Sequence, residues 1–105
     1  MLICCPHCLR KNRLEATRLT ANPVCGACKQ PLFTGQPSAV DAAGFDRHAS
    51  ADLPLVIDFW ASWCGPCQQF APTFSQSCAA TEPRARFLKV DTEAAPELAA
   101  RFAIR

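Results

Sequence analysis

Residues 53–67 read LPLVIDFWASWCGPC, and they contain the strongest fold signal in the sequence. Its first nine residues form a nearly continuous apolar run, rich in branched and aromatic side chains, which is typical of a parallel strand covered on both faces. A helical pattern begins at Cys64 and continues to about Thr81, with a predicted kink at Pro72. The sequence therefore predicts a central, buried strand that leads directly into a helix, with two cysteines at the junction.

The flanking segments extend this pattern. We predict a short helix over 41–48 with Asp41 as its N-cap, a second strand over 86–91, and a last helix that begins at Pro96. In the helix after Cys64, three apolar residues spaced four apart are expected on the buried side: Phe70, Phe74 and Cys78. The order βαβα favours an α/β fold in which right-handed crossovers join parallel strands.

The first 33 residues have a different character. They are dense in cysteine and proline and show no sustained apolar periodicity, so we expect this segment to lack a core of its own. Residues 34–38 carry turn formers and are the predicted linker. We call residues 1–33 the N-terminal module and residues 39–105 the C-terminal unit.

The N-terminal module contains two C-x-x-C motifs, separated by sixteen residues: Cys5-Pro6-His7-Cys8 and Cys25-Gly26-Ala27-Cys28. This spacing is typical of a tetrahedral zinc site with four cysteine ligands, and we predict one structural Zn²⁺. Zinc would supply folding energy that a segment without a core cannot obtain from burial. His7 and Cys4 are alternative ligands. Two disulfides, or a redox switch in which oxidation expels zinc, are alternative interpretations.

The third C-x-x-C motif, Cys64-Gly65-Pro66-Cys67, lies where the strand gives way to the helix. Unpaired N–H groups and the helix dipole stabilise a thiolate in the first turn, so the pKa of Cys64 should fall toward neutrality. A thiolate there can attack a disulfide, and Cys67, one turn along, can resolve the mixed disulfide. The alternative is a structural disulfide or half of a zinc site. Asp58 interrupts the apolar strand; its burial would raise its pKa and let it accept the Cys67 proton through a water molecule.

Composition excludes several classes of protein. A net charge of +2 gives little support to a nucleic-acid partner, and no stretch approaches the roughly 20 apolar residues that span a bilayer. The N-terminus has no signal-peptide pattern, so we read the chain as cytoplasmic. Eight cysteines without such a signal favour metal binding and redox chemistry over a secreted disulfide scaffold.

The segments VIDFWA, WCGPC and FLKVD resemble the thioredoxin family over roughly residues 40–105. The added N-terminal module is similar to the arrangement of the bacterial thioredoxin 2 subfamily. The resemblance implies a protein-disulfide reductase in which Cys64 is the exposed nucleophile and Cys67 the more buried resolving thiol. It also implies that Lys89 lies beside Asp58. Three residues are expected at the substrate surface: Trp63, Gly65 and Pro66.

The same resemblance implies partners: disulfide-containing proteins and a separate reductase that supplies electrons, since no G-x-G-x-x-G occurs for a nicotinamide or flavin. The chain departs from the family at Arg105, because the cis-proline loop, two antiparallel strands and a last helix would follow there. We therefore expect an incomplete sheet whose exposed edge favours self-association. Two alternatives remain open: a zinc-ribbon module that binds a partner, and an inactive thioredoxin fragment.

Overall fold

The computed structural model describes residues 1–103. The N-terminal module contains strands β1 (Leu2–Cys4) and β2 (Lys11–Arg13) and a 3₁₀ turn (Ala16–Arg18). The remaining elements follow in chain order: β3 (Ser38–Ala39), α1 (Ala42–Ala49), β4 (Leu55–Trp60), α2 (Gly65–Thr81), β5 (Arg86–Asp91) and α3 (Pro96–Arg101). The predicted βαβα order is present over β4, α2, β5 and α3.

The larger sheet is three-stranded and parallel, in the order β3-β5-β4. In its register Val56 pairs with Phe87 and Asp58 pairs with Lys89. Within residues 1–103 the strand predicted over 53–61 lies at an edge of the sheet and not at its centre, in line with the exposed edge expected of an incomplete sheet. β5 is central there because β3, which the sequence placed partly in the linker, pairs with its other side. β4 is an edge strand within residues 1–103.

Helix α1 begins as predicted, since Asp41 caps it by accepting a hydrogen bond from the backbone N–H of Gly44 at 2.8 Å. In α2, Phe74 and Cys78 are buried, and the Phe74 ring lies 5.2 Å from that of Phe87 on β5. The prediction for Phe70 was wrong. Its side chain is 47% exposed, and its ring lies 6.0 Å from that of Phe74.

A second apolar cluster fills the other face of the sheet. Its buried side chains come from α1, from β5, and from α3 with the residue before it: Phe45, Leu88, Val90, Ala95 and Leu98. Partly buried residues of β4 pack against them. The Phe102 ring, although 44% exposed, lies 5.5 Å from Phe45 and 5.3 Å from Phe59. Helices therefore cover both faces of β5, which explains why four of its six residues are buried.

The N-terminal module has a small core, contrary to the sequence-based expectation. β1 and β2 form an antiparallel pair, and a buried cluster beside it combines Ile3, Leu32, Leu53 and two cysteines, Cys5 and Cys25. Leu53 belongs to the C-terminal unit, so the cluster is completed from outside the module. Periodicity failed to predict it because its members come from turns and very short strands.

Within the described residues, no helix is both long and apolar enough to cross a bilayer.

Candidate functional site

The Cys64–Cys67 pair lies at the junction of β4 and α2. The two residues are joined by a disulfide, with their Cα atoms 5.3 Å apart. Cys64 is the N-cap of α2, and its Sγ accepts a hydrogen bond from the backbone N–H of Cys67 at 3.2 Å. Pro66 suits the first turn of a helix, where a missing N–H costs nothing. A thiolate on Cys64 would therefore receive an N–H group and the positive end of the helix dipole.

The surroundings of the pair are open. Trp63 is 71% exposed, and both Gly65 and Pro66 lie at the surface, so these three predicted residues form a rim around the disulfide. Cys64 and Cys67 are each partly buried. A partner protein can thus reach the disulfide from the side of this rim.

A cavity of about 200 Å³ lies behind Cys67. Its lining includes Asp58 from β4, Lys89 from β5, and Gln68 from α2. Asp58 is 8% exposed and its Oδ2 has no hydrogen-bond partner within the described residues, so this side chain is buried as predicted and does not face solvent. Burial raises the pKa of the Asp58 carboxyl, and the Lys89 charge opposes that rise.

Lys89 is directly opposite Asp58 in the strand register, but no ion pair joins their side chains among residues 1–103. Its Nζ lies 5.5 Å from the centroid of the Trp60 ring, in cation–π geometry. The cavity therefore holds one buried carboxylate, one ammonium group turned toward an aromatic ring, and one sulfur. Gln68 was not predicted as part of this site. Its position one residue after Cys67 was the available signal.

The two C-x-x-C motifs of the N-terminal module have matching backbones. In each, the N–H of the residue after the second cysteine donates to the carbonyl of the first: Leu9 to Cys5 and Lys29 to Cys25, both at 3.0 Å. Leu9 and Lys29 also share a left-handed conformation, with φ of 67° and 66°. Both motifs are therefore the same tight turn.

These turns direct backbone N–H groups at sulfur. Cys5 Sγ accepts from His7 at 3.3 Å, and Cys25 Sγ accepts from Ala27 at 3.4 Å. Donation from the N–H groups of Cys28 and Ala27 lowers the pKa of the Cys25 thiol to about 6. The second turn thus favours a thiolate at Cys25, the form that binds a metal. Although the Gln30 N–H opposes the change, burial and hydrogen bonds with the neighbouring cysteines raise the pKa of Cys28 to about 11.

The four sulfurs of Cys5, Cys8, Cys25 and Cys28 all lie within 4.8 Å of one another. Two cross-motif distances, Cys5 to Cys28 and Cys8 to Cys25, are 3.6 Å each. A tetrahedral Zn–S₄ centre with bonds of about 2.3 Å requires sulfurs about 3.8 Å apart. The donor set, its spacing and its N–H support therefore fit a metal ion of the zinc type.

The alternative ligands lie elsewhere. Cys4 is buried with its Sγ directed at the carbonyls of Cys5 and Leu9, and His7 is exposed. Sequence reasoning missed Asn12, whose Oδ1 accepts from the Gly26 N–H at 2.8 Å and whose Nδ2 lies 3.5 Å from Cys25 Sγ. No sequence signal marked it, because β2 brings it to the second turn.

Comparison with known proteins places this site in a family. The family model described as Thioredoxin matches residues 36–105. Thioredoxin C-3 of Corynebacterium nephridii is 43% identical over 106 residues, covering all of this chain and 72% of that protein. Thioredoxin of Synechocystis sp. is 33% identical over 73 residues, covering 70% of this chain and 68% of that protein.

Solved structures agree. Malassezia sympodialis thioredoxin (Mala s 13) superposes with a TM-score of 0.64 at 31% identity, over 70% of this chain and 65% of that one. The chain thus spans somewhat under two thirds of that structure. The chain belongs to the thioredoxin family of thiol–disulfide oxidoreductases.

Proposed function

We propose that this chain reduces protein disulfides by dithiol exchange at Cys64 and Cys67. The observation that carries the proposal is a disulfide at the start of α2, open on the Trp63 side and backed by a buried carboxylate. In the reduced form, Cys64 thiolate attacks a substrate disulfide, and the substrate sulfur that is displaced leaves as a thiolate. Cys67 thiolate then attacks Cys64 Sγ. The second substrate thiolate leaves, so two electrons pass to the substrate and the Cys64–Cys67 disulfide forms.

The second attack needs a proton acceptor for Cys67. Asp58 suits this task because it shares a cavity with Cys67 and its pKa is raised toward the working range by burial. The cavity has room for the water molecule that would carry the proton. Lys89 opposes the rise in the pKa of Asp58, and so favours the ionised carboxylate that can act as a base.

The same proposal assigns Cys5, Cys8, Cys25 and Cys28 to one structural Zn²⁺. Zinc there supplies folding energy and no redox chemistry. The full set of ligands comes from the protein, which leaves no open coordination position for a substrate. Disulfide-containing proteins are the proposed substrates, a separate reductase is the proposed electron donor, and the reducing cytoplasm is the compartment in which such a cycle operates.

The reaction can be tested with insulin reduction driven by dithiothreitol. Cys64→Ser should abolish catalysed turnover, because it removes the attacking sulfur. Cys67→Ser should instead accumulate a mixed disulfide between Cys64 and the substrate, detectable as an added mass. Equal turnover in wild type and Cys64→Ser, or trapping through Cys67 rather than Cys64, would contradict the proposed roles.

A further inference from the structure

Arg86 is a buried charge that the proposed reaction does not use. It opens β5, and its side chain is only 2% exposed. A guanidinium taken out of water is costly unless it is paired and hydrogen-bonded. The neighbours of Arg86 therefore indicate what its burial achieves.

Those neighbours come from different parts of the chain. Nη1 lies 3.3 Å from Glu82 Oε2, and Nη2 donates to the carbonyl oxygen of Cys4 at 3.0 Å. The guanidinium carbon lies 4.7 Å from the centroid of the Phe33 ring. The other oxygen of Glu82 accepts from the N–H of Gly35 at 2.8 Å. One buried ion pair thus joins the N-terminal module, the linker and the C-terminal unit.

The carbonyl that Arg86 binds adjoins the four-cysteine cluster, since Cys4 immediately precedes Cys5. On the other side of the same turn, Arg47 of α1 donates twice to the carbonyl of Leu9, at 3.2 and 3.1 Å. The first C-x-x-C turn is therefore held at both ends by guanidinium groups of the C-terminal unit. Of these two, Arg86 is the buried one, so losing it would remove the donor to Glu82 Oε2 and to the Cys4 carbonyl.

We propose that Arg86 is a positioning residue that couples metal binding in the N-terminal module to the folding of the C-terminal unit. It fixes the backbone leading into Cys5 and offsets the negative charge of four thiolates around a divalent metal. The coupling rests on the metal site proposed above. Its consequence is that the two parts unfold as one cooperative body, although the chain connects them through a short linker.

The sequence provides separate probes for the two parts. Both tryptophans, Trp60 and Trp63, lie in the C-terminal unit, and the chain has no tyrosine. Co²⁺ bound by four thiolates absorbs in the visible range and reports only on the module. In urea titrations of the reduced, cobalt-loaded chain, fluorescence and cobalt absorption should share one midpoint. In Arg86→Met, the cobalt signal should be lost at lower urea than the fluorescence signal, and cobalt affinity should fall about 10- to 100-fold.

Arg101→Met is the matched control, since it removes the same charge from an exposed ion pair with Asp46 and should leave the midpoints together. If Arg86→Met does not fold, Arg86→Lys retains the charge without the planar fork and should still separate the midpoints. Coincident midpoints and unchanged cobalt affinity in the Arg86 variants would overturn the coupling while leaving the metal site intact. A wild-type chain that binds no cobalt would overturn the metal site itself and the coupling with it.

Discussion

Three C-x-x-C pairs with identical spacing occur in this chain, two in the N-terminal module and one in the C-terminal unit. In each, the first sulfur accepts backbone N–H groups from the residues that follow: Cys5, Cys25 and Cys64 all do so. Local geometry therefore directs backbone N–H donors at the first sulfur of all three pairs. They differ in what lies beyond the turn.

The two module pairs face each other, so each sulfur has three more within 4.8 Å. The Cys64 pair faces no second pair within residues 1–103, and a cavity with a buried carboxylate lies behind it. Ligation is the stable outcome for four converging thiolates, whereas an isolated pair can only bond to itself or to an incoming sulfur. The C-x-x-C spacing therefore provides the tight turn, and the tertiary neighbours decide the chemistry of its sulfurs.

The largest effect should come from removing a converging sulfur. Cys5→Ala should abolish tight metal binding and unfold the N-terminal module, because structural zinc contributes on the order of 10 kcal/mol or more to folding in small zinc domains. Metal content after dialysis, together with cobalt absorption, measures the loss. Cys4→Ala is the matched control: it removes an adjacent buried thiol that lies outside the cluster, and should leave one metal bound.

A Cys4→Ala chain that loses its metal while Cys5→Ala retains it would reverse the ligand assignment. Loss of metal in both variants would show that the turn needs the packing of Cys4 as much as the ligand.

The second prediction concerns how the C-terminal unit is stabilised, in contrast to the N-terminal module. The C-terminal unit depends on burial, so Phe74→Ala should cost about 3–5 kcal/mol of unfolding free energy through a cavity between α2 and β5. Phe70→Ala, one turn away and half exposed, should cost less than about 1.5 kcal/mol. Urea unfolding followed by tryptophan fluorescence gives both values. Similar costs at both sites would mean that α2 packs differently.

The sequence predicted the parts of the molecule that depend on local chemistry. The apolar run before Cys64, the Asp41 cap and the paired C-x-x-C turns are all encoded within a few residues of one another. The central position of β5, the exposure of Phe70 and the core completed by Leu53 were not predictable in this way. Each depends on which distant segment covers a given face, and periodicity carries no information about that partner.

The residues of the candidate site also fall into those that local sequence identified and those that it did not. Spacing alone identified the cysteines, and an acidic residue in an apolar strand identified Asp58. Asn12 and Arg86 escaped, because their contacts with Cys25 and Cys4 span 13 and 82 residues of sequence. An isolated Asn or Arg on a short strand is most often a solvated residue, so nothing in the sequence distinguished these two.

The third prediction concerns the group behind the redox pair. Burial raises the pKa of Asp58 above its unfolded value near 3.8, so the folded chain holds the proton more tightly than the unfolded chain does. The resulting contribution to stability is fully present below pH 3.8 and is lost as the pH rises through the folded pKa. Asp58→Asn should therefore stabilise the chain at neutral pH, because the amide carries no charge whose burial costs free energy. The gain should vanish below pH 3.8.

Urea unfolding at several pH values measures this gain, and the rate of resolution of the mixed disulfide should fall in the same variant. A stability gain that is independent of pH would mean that Asp58 is not titrating in the folded chain.

The smallest effect should come from Lys89, whose charge opposes the rise in the pKa of Asp58 from across the strand pair. Lys89→Met should move the pH dependence of stability to higher pH and cost less than about 1 kcal/mol at neutral pH, because the lysine is only partly buried. The cost should disappear when Asp58 is already Asn, so a double-mutant cycle isolates the interaction. If Lys89→Met costs the same in both backgrounds, the lysine acts through its contact with Trp60 rather than through the carboxylate. In that case the Trp60 ring, and not the Asp58 charge, would determine how Lys89 affects stability. The surroundings of the Cys64–Cys67 pair would then differ from those of the four module cysteines in packing more than in charge.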